Sequence, residues 1–347
     1  MAAAHGHSTT DNRDVIVIGG SAGGVEAVTR LVRGLPADLP AAVLVAIHRG
    51  LDGAGLLAQI LDAAGPLPAA MAEEGQPLER GRILVASPDR HLLVGDDHVH
   101  VRRGPRENRT RPAVDPLFRS AAVNCSTRVI AVVLSGMLND GSSGLRAVKR
   151  CGGLAVVQDP RDAPYPDMPD NALAHAEADH VLPLAGIAPL LARLAASPRP
   201  PPPEVPEEIR IEALIAAQEL TVMPDQHRFG PLSPLACPDC HGTMQEIREG
   251  GLVRYRCHTG HAFTLEALRL AQDEAWERTL YAAMRAQQEQ AMLCRRLAEE
   301  ARLRGQVRGV EEFARRTRDY EEGAETIRQL LARGNGRGER AAQAGLP

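Results

Sequence analysis

Three uninterrupted apolar runs, Val15–Ile18, Ala42–Ile47 and Val129–Leu134, punctuate the first half of the chain, and patterns of helical period separate them. Runs this short without alternation are what strands buried on both faces require, so they predict a parallel sheet covered by helices. Over residues 14–196 the expected fold is therefore α/β, a doubly wound, mainly parallel three-layer sandwich. The stretch Ser197-Pro198-Arg199-Pro200-Pro201-Pro202-Pro203-Glu204-Val205-Pro206 can form neither helix nor central strand. It predicts a Pro-rich linker over 197–208. A short amphipathic stretch (Ile209 to Leu220) and two Cys/His pairs follow, predicting a small module over 209–263. From Thr264 the apolar residues Leu265, Leu268, Ala271, Ala275, Trp276, Leu280, Ala283 and Met284 recur at helical spacing. A second such run passes through Val310, Phe313, Ala314, Tyr320, Ile327 and Leu331, so residues 264–333 predict an antiparallel helical hairpin. Residues 1–13 are expected to be disordered, and 334–347 to form a flexible tail.

The strand ends carry the candidate chemistry. Val15–Ile18 opens into Gly19-Gly20-Ser21-Ala22-Gly23-Gly24, Ala42–Ile47 ends at His48, and Val129–Leu134 opens into Ser135-Gly136-Met137-Leu138-Asn139-Asp140-Gly141. Functional groups of open α/β sheets gather beyond the carboxyl ends of the strands. A serine on a glycine-flanked strand-to-helix turn is exposed beside the free N–H groups of a helix start. Ser21, His48 and Asp140 can thus converge as nucleophile, general base and orienting carboxylate. A Gly-rich turn after strand one is also the pattern of a dinucleotide or phosphate cradle. Against that stand the serine at the third position of the G-x-G-x-x-G pattern and His48 where a ribose-binding acid belongs.

The module between the linker and the hairpin has metal-ligand spacing. Cys237-Pro238-Asp239-Cys240 forms a C-x₂-C knuckle, and Cys257-His258-Thr259-Gly260-His261 supplies a second pair across a hairpin-like segment at Gly250-Gly251. Cys237, Cys240, Cys257 and His261 predict a closed, tetrahedral, structural Cys₃His zinc site. His258, adjacent to Cys257, would be strained to reach the same ion, and His241 is a less regular substitute. Cys125, Cys151 and Cys294 have no such neighbours and read as small buried residues.

Composition narrows the function classes. The 347 residues have room for about two domains, and the formal net charge of −4 gives no global attraction to nucleic acid. No run approaches the ~18 apolar residues of a spanning helix, and Met1–Thr10 lacks the basic and apolar regions of a secretory signal. A cytoplasmic protein without membrane insertion is expected. Six cysteines spread over such a chain suit thiols or metal, not a disulfide framework.

The Ser21 turn, His48, Asn108-Arg109-Thr110-Arg111-Pro112-Ala113-Val114-Asp115 and Gly136-Met137-Leu138-Asn139-Asp140-Gly141 lie in the order found in the CheB family of chemotaxis protein-glutamate methylesterases. Residues of about 14–195 resemble its catalytic domain, which implies a Rossmann-like sandwich and a Ser–His–Asp triad that needs no cofactor. The resemblance implies hydrolysis of glutamate γ-methyl esters on methylated chemoreceptor cytoplasmic helices, with glutamine deamidation in many members. It places oxyanion donors at the N–H groups of Ala22 and Met137. It also offers Arg109 and Arg111 to acidic groups near the modified glutamate, with a structural ion pair or loop anchor as the other reading. Ala22 replaces the family's usual threonine, and Arg49-Gly50 replaces its Met-Pro. Typical members open with a phosphoacceptor receiver domain. About a dozen polar residues precede the first strand here, so no phosphorylation gating in cis is expected. The zinc-ribbon-like module and helices would then dock a receptor, a separate response regulator or another chemosensory protein. A non-catalytic receptor-binding scaffold and a general small-ester hydrolase are the alternatives.

Overall fold

A computed structural model describes residues 11–48, 55–220 and 229–344, the side chains of 334–344 excepted. The expectations for residues 1–10, for Arg49-Gly50 and for the side chains of the C-terminal tail lie outside the described residues. The chain divides into two compact units, Met1–Leu268 and Arg269–Pro347.

In the first unit, seven strands form one parallel sheet. They are β1 (Val15–Gly20), β2 (Ala42–Ile47), β3 (Ala69–Met71), β4 (Ile83–Val85), β7 (Val129–Val133), β8 (Leu154–Gln158) and β9 (His180–Leu182). Their order is β3-β4-β2-β1-β7-β8-β9. A hairpin, β5 (His91–Val94) with β6 (Val99–Arg102), is inserted between β4 and β7. Strand β1 sits between β2 and β7, in register from Val15 against Ala42 on one side and Val129 on the other. The chain order reverses there, which opens a crevice beyond the strand ends.

Every residue of β1, β2 and β7 is buried, as uninterrupted apolar runs demand. Successive side chains point to opposite faces, so Val15 and Val17 enter one core and Ile16 and Ile18 the other. The first core is covered by α3 (Val114–Cys125), α4 (Ser142–Arg150) and α5 (Asp167–His175). The second is covered by α1 (Gly24–Arg33), α2 (Leu56–Ala64) and α6 (Leu184–Ala195). The doubly wound, Rossmann-like sandwich is thus present, with all seven strands parallel. Cys125 and Cys151 are buried beside it, and burial pushes their thiols up to about 12 and about 11.

The compact unit continues past the Pro-rich stretch. Helix α7 (Glu207–Ala216) packs on α3, and Ile209 joins the first core. Beyond it, β10 (Leu232–Ala236), β11 (Thr243–Glu249), β12 (Leu252–Cys257) and β13 (Ala262–Thr264) form an antiparallel four-stranded sheet. Residues 197–208 are therefore not a spacer between independent bodies. Within the linker, Arg199 N–H donates to Asp11 O at 2.7 Å and Pro198 O accepts from Arg13 Nη1 at 3.0 Å.

The second unit is helical. Helix α8 (Leu265–Leu303), most of which lies in this unit, turns at Gly305, where φ is +70°, into α9 (Val307–Ala344). Ala291, Cys294, Ala301, Ala324 and Leu331 are buried along the pair. An ion pair joins Arg295 to Glu321, and i,i+4 pairs such as Arg316–Glu312 line the outer faces.

Candidate active site

Each candidate side chain reaches the crevice on a loop whose backbone is fixed by its neighbours. Ser21 follows β1; its N–H donates to Ser135 O at 3.0 Å, and its O accepts from Gly24 N at 2.8 Å. Gly23, at φ +71°, takes the left-handed turn that starts α1. Ser135, fully buried after β7, is the strut beneath this turn. Its Oγ donates to Ala22 O at 2.9 Å and accepts from Tyr165 N at 3.1 Å, while its N–H donates to Gln158 Oε1 at 3.0 Å. Gly136 must be glycine, because a Cβ there would stand 2.1 Å from Met168 Sδ and 2.9 Å from Ser21 Cβ. The β1 and β7 loops therefore lie in contact.

His48 directly follows β2, its N–H donating to Gly20 O at 3.1 Å. Its Nε2 meets Asp140 Oδ2 at 2.6 Å and Thr110 Oγ1 at 3.3 Å. With Nε2 engaged there, Nδ1 is the ring nitrogen left for a second partner. Among the described residues no hydrogen bond links Ser21 Oγ to His48, so the apo arrangement pairs base with carboxylate but not nucleophile with base.

Asp140 is held from several sides. Val114 N–H donates to Oδ2 at 2.6 Å; Asp115 N–H, Gly141 N–H and Asn108 Nδ2 donate to Oδ1 at 3.1, 3.0 and 3.0 Å. Burial opposes its charge, but the hydrogen bond and charge of His48, followed by these donors, hold its pKa down at about 2. A second carboxyl lies alongside: Asp115 accepts from Gly144 N at 2.6 Å, Gly141 N at 3.0 Å and Asn108 Nδ2 at 3.0 Å. Burial, then the Asp140 charge, pushes Asp115 well above the ordinary carboxylate range. One of the two is thus readily charged and the other readily neutral, with the Asn108 amide between them.

The two expected oxyanion donors border Ser21. Among the described residues neither Ala22 N–H nor Met137 N–H has a hydrogen-bond partner, and Met137 is exposed. Arg109 is half-buried at φ +70°. Arg111 is occupied inside the protein: Nε and Nη2 pair with Asp89 Oδ1 at 2.9 and 2.8 Å, and Nη1 donates to Gly104 O. Of its two readings, the loop anchor describes these contacts.

The metal-spaced residues also converge. Single ligand atoms of Cys237, Cys240, Cys257 and His261 all lie within 4.8 Å of one another. Cys240 Sγ–Cys257 Sγ is 3.6 Å, and His261 Nδ1 is 3.6 Å from Cys257 Sγ and 3.7 Å from Cys237 Sγ. A tetrahedron with Zn–S bonds of about 2.3 Å has edges of about 3.8 Å, so the quartet fits zinc. Hydrogen bonding from Cys237 is the largest influence on the Cys257 thiol and favours the thiolate a metal needs.

Sequence reasoning missed what joins this module to the sandwich. Glu107, Arg119, Glu212, Arg254 and Arg256 are buried together. Arg119 pairs with Glu107 at 3.1 Å, and Arg254 with Glu212 at 2.8 Å and with Glu249 at 2.6 Å. Arg256 pairs with Glu107 at 2.9 Å and with Glu212 at 2.6 Å. Burial disfavours all these charges; the arginines nonetheless hold Glu107 and Glu212 below the ordinary range, and the carboxylates hold Arg254 above its own. Three buried arginines face two buried glutamates, and the part-exposed Glu249 supplies the third carboxylate that balances them.

The comparisons with known proteins agree with this geometry. The family model described as CheB methylesterase matches residues 16–191. A putative protein-glutamate methylesterase/protein-glutamine glutaminase of Leptospira interrogans is 37% identical over 184 residues, 53% of this chain and 95% of that one. Protein-glutamate methylesterase/protein-glutamine glutaminase 2 of Methanosarcina mazei is 37% identical over 183 residues, half of each chain. The chain thus spans about half the length of the Methanosarcina mazei relative. The crystal structure of the Thermotoga maritima CheB methylesterase catalytic domain superposes with a TM-score of 0.50 at 31% identity, covering 52% of this chain and 98% of that one. With the matched segment spanning the whole sheet and every loop of the crevice, the chain belongs to the CheB methylesterase family.

Proposed function

We propose that the protein hydrolyses glutamate γ-methyl esters on the cytoplasmic helices of methylated chemoreceptors, with Ser21, His48 and Asp140 as its triad. The observation that carries this reading is the 2.6 Å His48–Asp140 pair at the strand ends that also carry Ser21, with the N–H groups of Ala22 and Met137, on the two loops in contact there, unpartnered among the described residues. Ser21 Oγ attacks the γ-carbonyl carbon and its proton passes to His48 Nδ1, while Asp140 stabilises the imidazolium. Negative charge on the carbonyl oxygen is met by the N–H groups of Ala22 and Met137. Collapse of the tetrahedral intermediate expels methoxide, which takes the proton from His48 and leaves as methanol. Water, deprotonated by His48, then releases the glutamate and restores Ser21. The same attack on a γ-amide would release ammonia, the glutaminase activity carried in the relatives' names.

Arg109 is assigned to acidic groups around the substrate glutamate. Cys237, Cys240, Cys257 and His261 are assigned to structural zinc, and elemental analysis should find about one equivalent per chain. The place of action is the cytoplasm; among the described residues no helix is long and apolar enough to cross a membrane. Helices α8 and α9 are assigned to a chemosensory partner. The test is release of methanol from methylated receptor fragments, with unmethylated fragments as control. Release from the methylated fragments alone is expected. No release, or equal release from small esters unrelated to glutamate, would overturn the reading.

A further inference from the structure

The module that carries the Cys/His cluster reaches into the network that fixes Asp140. Strand β13 begins directly after His261, and three of its polar groups touch the active-site loops. Ala262 O accepts from Asn108 N at 2.8 Å, and Thr264 N–H donates to Asn108 Oδ1 at 3.1 Å. Thr264 Oγ1 donates to Asn139 Oδ1 at 2.6 Å. Asn108 is the amide that bridges Asp140 and Asp115, and Asn139 immediately precedes Asp140. Thr264 is 1% exposed, so neither contact can be exchanged for water.

The anchor of β13 is equally specific. Cys257 N–H donates to His261 O at 2.9 Å, and Arg256 Nη1 donates to Gly260 O at 2.7 Å inside the second ligand loop. The other end of that guanidinium pairs with Glu107, the neighbour of Asn108. A continuous buried path thus runs from the Cys257/His261 loop to the Asp140 carboxylate.

We propose that Thr264 and Asn108 are positioning residues for Asp140, and that metal in the Cys237/Cys240/Cys257/His261 site supports catalysis by fixing β13. The Asn108 side chain has rotational freedom of its own. Thr264 N–H pins its carbonyl, which aims both amide hydrogens at the two carboxyls. Thr264 Oγ1 likewise tethers Asn139, the residue before Asp140, so removing the hydroxyl loosens the Asp140 loop, and shifting β13 also frees Asn108; either change weakens the hold of Asp140 on His48. The inference rests on the methylesterase reading for its catalytic readout but not for its spectroscopic one.

The experiment uses the full chain as wild type, Thr264→Val and Thr264→Ser, together with wild type stripped of metal by a chelator and reloaded with Zn²⁺. Methanol release gives kcat and KM, and proton NMR follows the low-field imidazole N–H shared by His48 and Asp140. Thr264→Val should lower kcat about tenfold with KM within about twofold, and shift or broaden that resonance. Thr264→Ser, which keeps the hydroxyl, should restore both. Stripping should act in the same direction and Zn²⁺ should reverse it. A Thr264→Val protein with wild-type kcat and an unmoved resonance overturns the proposal. If the wild type releases no methanol, the methylesterase reading fails and the resonance alone decides. If Thr264→Val does not fold, the stripped and reloaded protein decides by the same criteria.

Discussion

Around Ser21 the backbone is held by burial; around Cys257 it is held largely by charge. The sandwich loops rise from strands with no exposed residue and are backed by two extended apolar cores. The β10–β13 module has a small apolar cluster, Ile211, Ile215, Phe229 and Ile247, shared with α7. It adds four clustered Cys and His side chains and an ion-pair set of three buried arginines with the buried Glu107 and Glu212 and the part-exposed Glu249. Apolar burial is non-directional and tolerates small shifts, whereas buried ion pairs and metal ligands demand one arrangement. A region poor in core can therefore still set geometry to a fraction of an ångström, and β13 lies where that matters.

Each kind of hold can be undone by substitution. On the sandwich side, Asp140→Asn should lower kcat by about 10⁴-fold while leaving the sheet folded, because an amide cannot stabilise the imidazolium. The same variant has a pH signature. Asp140 is held below its unfolded value, so its charge adds stability above about pH 4 that is lost as pH falls toward about 2. Asp115, held high, acts in the opposite direction and moderates the loss. Denaturant titrations should show wild type and Asp140→Asn converging as pH falls from about 5 to about 2.

On the module side, Glu212→Ala removes a carboxylate that touches Arg119, Arg254 and Arg256 and leaves buried positive charge in excess. A loss of about 3–5 kcal/mol is expected in chemical denaturation. A loss below about 1 kcal/mol would show that the cluster does not hold the module. Asp89→Ala, which releases Arg111 at the partly exposed edge of the site, should cost about 1 kcal/mol or less. A large fall in kcat there would mean that the anchor governs the site more than its exposure suggests.

Much of this was legible in the sequence, for physical reasons. Fully buried parallel strands must be apolar throughout, so β1, β2 and β7 announced themselves, and the switch point put Ser21, His48 and the Asp140 loop at one edge. Ligand spacing identified the four residues that now cluster. What stayed hidden depends on contacts between distant segments. Arg254 and Arg256 alternate with apolar residues in β12 and read as hairpin surface, yet Arg256 meets Glu107 149 residues away. Asn108 and Asp115 bracket a family motif, but only the folded chain shows one amide serving two carboxyls. Ser135 is an ordinary strand-end serine until its Oγ is seen to hold Ala22. The Pro-rich stretch signals a break in regular structure; it cannot reveal whether the chain beyond packs back.

The decisive experiment is the Ser21→Ala chain assayed for methanol release from a methylated receptor fragment, with its thermal midpoint measured beside the wild type. A loss of at least about 10⁴-fold in kcat at an unchanged midpoint is expected, since among the described residues the Ser21 hydroxyl makes no hydrogen bond. Methanol release near the wild-type rate from a folded Ser21→Ala protein would refute the assignment of Ser21 as nucleophile.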